Sequence, residues 1–150
     1  MQETPTFTLY TIGYQGQTIE TFLDILQAHG VTQIIDVRQL PFSRKPDFNK
    51  KRFTAHLTNV GIDYAHLVEL GTPKELRDEV RRTHDYEAFF AAMDALVEEH
   101  PEAVQQALDL ARSRPSALMC FEADPSQCHR MSVVRAIENI VGDACTVVHL

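Results

Sequence analysis

The sequence predicts a single-domain α/β fold, doubly wound, with a mostly parallel sheet of about five strands flanked by helices. Three observations point there. Short apolar or β-branched runs alternate with segments of helical period along the chain. Proline or a short polar side chain opens most helical segments, and glycine closes the first two. No glycine- or proline-rich linker, charge block, low-complexity segment or internal repeat divides the 150 residues, so one buried core suffices.

The elements follow in order. "FTLYTIGY" (7–14) reads as a buried strand. In "TIETFLDILQAHG" (18–30), Thr18 is the cap, Ile19, Phe22, Leu23, Ile25 and Leu26 form the apolar stripe, and Gly30 is the stop. "VTQIIDV" (31–37) is the second strand, and a polar, proline-containing connection (38–48) leads to a helix from about Asn49. Phe53, Leu57 and Val60 fall on one face of that helix before Gly61. "IDYAHL" (62–67) is the third strand. From Pro73 to Arg114 two or three helices are expected and no strand. "SALMCFEA" (116–123), a helix over 125–141 and "ACTVVHL" (144–150) complete the alternation.

Composition excludes several classes. No apolar run is long enough to cross a bilayer, and the start, "MQETPTFTLY", lacks the basic and apolar segments of a signal peptide, so a cytoplasmic protein without membrane partners is expected. Three cysteines, an odd number without scaffold spacing, point to reduced thiols. The net charge of −7 argues against general attraction to polyanions, but it is unevenly placed. Six of the 14 Lys and Arg, and one of the 21 Asp and Glu, fall between Arg38 and His56, a local balance of +5 against −12 elsewhere. An anionic ligand at one edge of an acidic body is implied.

Open parallel sheets bind ligands beyond the carboxyl ends of their strands. The loops there bring Gly13, Tyr14, Asp36, Arg38, Ser43, Arg44, His66, Glu69, Glu122, Cys128, His129 and Arg130 toward one rim. "GYQGQT" permits close backbone approach to an anion, though it is neither a P-loop nor a dinucleotide fingerprint. In "IIDVR", Asp36 either orients Arg38 or acts as a base, while Arg38 and Arg44 offer planar forks to phosphate or carboxylate. "SRKPDFNKKRF" interleaves cations with Phe42, Phe48 and Phe53. That texture suits nucleic acid, but Phe53 also fits the core and Lys50, Lys51 and Arg52 a solvated helical face.

"CFEADPSQCHR" (120–130) opens the last helix: Asp124 suits the cap, Pro125 the first helical position and Gln127 the capping-box position. This places Cys128 in the first helical turn, where unpaired N–H groups favour a thiolate, and puts Arg130 on the buried stripe with Val134, Ile137 and Val141. Cys120 reads as core, and the cysteine spacing gives no zinc motif, so neither metal nor cofactor is expected.

Taken together, "TIGYQG", "IIDVRQLPFSRKPDF", "GIDYAHLVELG" and "LMCFEADPSQCHR" closely resemble the family known as domain of unknown function 488, over about Tyr10 to Arg130. The combination of Asp-Val-Arg-x-x-Pro-x-Ser-Arg with Cys-His-Arg makes the resemblance specific. It implies that the characteristic positions are Gly13, Tyr14, Asp36, Arg38, Pro41, Ser43, Arg44, Tyr64, Glu69, Leu70, Gly71, Cys120, Glu122, Cys128, His129 and Arg130. It also implies an association with enzymes acting on modified bases in DNA.

Three functions stay open. The leading one is an enzyme of nucleic-acid or nucleotide processing, a hydrolase of the DNA glycosylase kind. In it Arg38, Arg44 and Arg130 hold phosphates, one carboxylate among Asp36, Glu69 and Glu122 steers water or stabilises an oxocarbenium charge, and Tyr14 stacks an extruded base. With no lysine in the motifs to form a Schiff base, excision without strand cleavage is expected. The second is sulfur or phosphoryl transfer at Cys128. The Asp-Val-Arg after a strand loosely resembles rhodanese domains, but His-Arg follows the cysteine where those loops usually carry glycine. The third is a non-catalytic anion-binding module. The expected partner is nucleic acid or a phosphorylated small molecule, and the oligomeric state is left open.

Overall fold

A computed structural model describes residues 5–150. The first four residues of the start read above for a signal peptide lie outside the described residues. The five strands are β1 (Phe7–Gly13), β2 (Gln33–Asp36), β3 (Asp63–His66), β4 (Ser116–Cys120) and β5 (Cys145–His149). They form one sheet, parallel throughout, in the order β3-β2-β4-β1-β5. Six helices accompany them: α1 (Ile19–Ala28), α2 (Lys50–Asn59), α3 (Lys74–Thr83), α4 (Tyr86–Glu98), α5 (Pro101–Ser113) and α6 (Arg130–Val141).

Successive strand residues point to opposite faces, and each face has its own core. On one, Ile12, Ile34 and Met119 meet Phe22 and Leu26 of α1 and Phe53 and Leu57 of α2. On the other, Leu9, Ile35 and Leu118 meet Val97 of α4, Val104 and Leu108 of α5, and Val134 and Ile137 of α6. Full burial of an aromatic such as Phe22 or Phe53 contributes about 1.5–3 kcal/mol. The apolar periodicity thus yields the doubly wound layout, and the predicted segments from Pro73 to Arg114 resolve into three helices. α3 is the exception, since none of its residues is buried.

Local chemistry sets the boundaries. Thr18 caps α1 by accepting from Thr21 N at 3.1 Å, and Asp85 caps α4 by accepting from Ala88 N at 3.1 Å. Asn49 opens α2 without a side-chain cap; its Oδ1 accepts instead from the backbone N–H of Ser43. The predicted helix over 125–141 is corrected. Asp124 caps only a single 3-10 turn, Pro125–Gln127, and Cys128 is extended (φ −123°, ψ 136°), so α6 begins at Arg130. The extended backbone at Cys128 separates that turn from α6.

The strand order fixes where a site can lie. The chain leaves β1 and β2 for the α1/α2 face and leaves β4 for the α6 face, so the loops after β4 and its neighbours diverge. That divergence opens a crevice at the carboxyl ends of β1, β2 and β4.

Candidate functional site

A cleft of about 750 Å³ occupies this crevice. Tyr14 reaches it from the end of β1, Arg38, Phe42, Ser43, Arg44 and Lys45 from the loop after β2, and Cys120, Phe121 and Glu122 from the end of β4. His129, Thr72, and Arg77 and Arg81 of α3 complete the charged and polar wall. Among the described residues, five Lys or Arg and one carboxylate, Glu122, line it. The cleft is therefore a concentration of positive charge on an acidic molecule. Thr72 Oγ1 is buried against the cleft and has no hydrogen-bond partner among the described residues.

Asp36 and Arg38 form the floor. Asp36 is fully buried; its Oδ1 accepts from the Arg38 backbone N–H and Nε at 3.0 Å, and its Oδ2 accepts from Arg38 Nη2 at 2.8 Å and from the Tyr64 hydroxyl at 2.6 Å. Arg38 Nη1 donates to Phe48 O at 2.8 Å, and its backbone carbonyl accepts from His66 Nε2 at 2.6 Å. Burial would depress the guanidinium, but the hydrogen bonds and charge of Asp36 outweigh it, so the Arg38 pKa is raised. Burial and the adjacent Asp36 charge raise the pKa of Tyr64, so its phenol stays protonated and donates. Three of the five Arg38 N–H groups are thus used, and the other two remain for the cleft. Asp36 is a positioning residue. Both of its oxygens are engaged by Arg38 and Tyr64, and it lies beneath the cleft without lining it.

The ends of β1 and β4 are zipped together by Tyr14 N to Cys120 O (3.2 Å) and Gln15 N to Phe121 O (2.8 Å). Gly13 permits this approach, because a Cβ there would stand 1.8 Å from Glu122 O. Gly13 therefore shapes the rim for Glu122 instead of cradling an anion. Tyr14 is also corrected: its ring is 2% exposed, stacked on Phe48 at 4.5 Å with the Arg38 guanidinium 5.4 Å from its centroid, so it is no platform for a base. The exposed aromatics at the cleft are Phe42 and Phe121.

Glu122 is half-buried, and its pKa is raised by desolvation, only partly countered by its own backbone amide and the charges of Arg130, Arg81 and Arg77. Its Oε2 lies 3.6 Å from Cys120 Sγ. Cys120 and Cys128 are joined through their sulfurs, with Cα atoms 7.2 Å apart, so the expected pair of reduced thiols is replaced by a bonded pair; Cys145 is free and buried. The turn at Asp124-Pro125 folds Cys128 back over the end of β4, a proximity that sequence spacing conceals. Cys128 is wholly enclosed and does not line the cleft, which leaves a transfer reaction at its sulfur without access.

His129 Nε2 donates to Val37 O at 2.6 Å, so Nδ1 carries the lone pair, 3.8 Å from Cys128 Sγ. Burial lowers the His129 pKa to about 4, and the ring is neutral near pH 7. Arg130 reaches inward, as its place on the helical stripe predicts, but it is completely enclosed. It donates from Nη1 to Glu122 O (2.6 Å) and from Nη2 to Ala123 O (3.3 Å), and its Nη1 lies 3.1 Å from Cys120 Sγ. Desolvation lowers its pKa to about 10, so it remains a cation. It clamps the β4 loop and does not line the cleft, contrary to the ligand contact expected of it.

Of the residues singled out in the sequence, Tyr14, Arg38, Ser43, Arg44, Glu122 and His129 line the cleft. Ser43 acts in part locally, its Oγ accepting from Lys45 N at 3.0 Å. Glu69 is exposed and faces a separate hollow beside Glu99 and Glu102, so it drops out of the site. Lys50, Lys51 and Arg52 stay on the solvated face of α2. Sequence reasoning missed Lys45, Thr72, Arg77 and Arg81. The signal for the last two was their i, i+4 spacing, which puts both arginines on one helical face.

Compared with known proteins, the chain matches over residues 18–137 the family described as Domain of unknown function DUF488. No curated protein and no solved structure matches it.

Proposed function

Because the chain belongs to the DUF488 family, whose description assigns no reaction, we propose a function from the cleft: a nucleic-acid hydrolase that removes a modified base by cleaving its N-glycosidic bond. The observation that carries this is the combination, in one cleft, of five cations, two exposed aromatics and a single carboxylate. Arg44, Arg77, Arg81 and the two unused N–H groups of Arg38 hold phosphates. Phe42 and Phe121 stack the base outside the duplex. Glu122, its pKa raised by desolvation, takes the proton of the attacking water and faces the developing oxocarbenium charge while the N-glycosidic bond breaks, and that proton then leaves with the departing base. The cleft volume, about 750 Å³, falls in the range of about 300–1,000 Å³ usual for small-molecule sites.

The test is incubation with end-labelled single- and double-stranded oligonucleotides carrying a panel of modified bases, followed by alkali to reveal abasic sites. Cleavage at one modified base is expected, reduced about 10²–10⁴-fold in Glu122→Gln with binding kept. Arg77→Ala and Arg81→Ala should each weaken binding across sequences and lower the salt slope by about one. An absence of alkali-labile sites together with salt-insensitive binding overturns the assignment.

A further inference from the structure

The cluster behind the cleft is built like a metal centre. Cys120 Sγ, Cys128 Sγ and His129 Nδ1 all lie within 4.8 Å of one another, in residues that are all buried. Each donor also has an outer partner. Arg130 Nη1 is 3.1 Å from Cys120 Sγ, the Arg130 backbone N–H is 3.5 Å from Cys128 Sγ, and His129 Nε2 donates to Val37 O at 2.6 Å. The last contact fixes the tautomer with Nδ1 free, which is how metal-binding histidines are usually held.

We propose that the reduced chain binds a thiophilic divalent cation of the Zn²⁺ class through Cys120 Sγ, Cys128 Sγ and His129 Nδ1, with the fourth position toward Glu122 and the cleft. The Cα separation of 7.2 Å lies beyond the usual span of about 4.4–6.8 Å for a disulfide, and suits two thiolates each about 2.3 Å from a common ion. The Nδ1 to Cys128 Sγ distance of 3.8 Å is close to an edge of such a tetrahedron. Charge balances as well: two thiolates and Glu122 oppose the dication and the enclosed Arg130 guanidinium. The Cys-x₇-Cys-His spacing hides this site from motif reading, because a strand end and a doubled-back turn supply the ligands instead of one knuckle. Two of the three ligand residues, Cys120 and His129, also line the cleft, so the open position faces it.

Binding requires the sulfurs to be reduced. A phosphine reductant gives two electrons to the S–S bond and leaves as its oxide with an oxygen from water, two protons complete the thiols, and the incoming cation displaces those two protons. The experiment is anaerobic titration of the phosphine-reduced full chain with Co²⁺ and then Zn²⁺, followed by absorption spectroscopy. One equivalent of Co²⁺ with thiolate-to-metal charge transfer and tetrahedral visible bands is expected, displaced by Zn²⁺, while the oxidised chain binds none. Cys120→Ser and Cys128→Ser should each weaken binding at least 100-fold, His129→Gln at least 10-fold, and Cys145→Ser should leave it unchanged. Absence of charge transfer in the reduced wild-type chain, equal binding by the oxidised chain, or loss of the bands in a folded Cys145→Ser overturns the proposal. The readout is independent of any glycosidic activity, and comparing oxidised with reduced wild type needs no variant to fold.

Discussion

Asp36→Ala is expected to destabilise the protein by about 3–5 kcal/mol, the cost of removing one partner from a buried ion pair. The size follows from burial: the Asp36 and Arg38 side chains are 0% and 6% exposed, so water cannot take over the lost contacts. Alanine would leave the Arg38 guanidinium with only Phe48 O and the Tyr64 hydroxyl without its acceptor. Thermal unfolding checks this, with a fall in Tm on the order of 10 °C for a chain of this size. In a double-mutant cycle, Asp36→Ala with Arg38→Met should cost less than the two singles summed, because the second change removes the stranded charge. A stable Asp36→Ala that lost only catalytic rate would return Asp36 to the role of base. The structure predicts the reverse, a loss of stability as Arg38 loses its partner.

Gly13→Ala should cost about 3 kcal/mol or more, at the upper end of overpacking effects. A Cβ at this position meets Glu122 O at 1.8 Å, Glu122 C at 2.4 Å and Ala123 N at 2.9 Å. All three are backbone atoms, so no rotamer change relieves the clash, and β1 and the β4 loop must separate. Gly16→Ala is the natural control: Gly16 has φ +78° with open space around it, so the change costs only the strain of a left-handed alanine, about 1–2 kcal/mol. Chemical denaturation of both variants checks the contrast. Equal midpoints would show that the β1–β4 approach is looser than described.

The fold was legible because its signals are local. Thr18, Gly30, Asp85 and the apolar stripes of α1, α2 and α6 each mark an element without reference to anything distant. The site was legible in part. Arg38, Ser43, Arg44, Glu122 and His129 belong to loops after β2 and β4, which are neighbours in the sheet. Glu69 follows β3 in the same manner, but β3 is the edge strand and Glu69 faces the start of α5, so the convergence rule fails without the strand order. Arg77 and Arg81 sit inside α3, beyond the loop that follows β3, and tertiary packing brings that helix over the rim. The cysteine pairing was hidden for a related reason: Cys128 depends on a turn that ends before a helix expected to be continuous.

The strand order also bears on when this molecule becomes a molecule. β1 lies between β4 and β5, so the first strand made finds its ladder partners only in the last third of the chain, Leu9 beside Ser116 and Phe7 beside Cys145. A growing chain that ends before β4 can pair only β2 with β3, while Leu9 and Ile12 wait on a strand with two open edges. The hydrogen bond between Thr11 and His149 spans 138 residues, and contacts so remote in sequence slow folding because the chain must be closed before they form. Synthesis therefore leaves an interval in which a nascent β1 is exposed to other chains. The cleft inherits that timetable, since Tyr14, Arg38 and Glu122 meet only when β4 slides between β1 and β2.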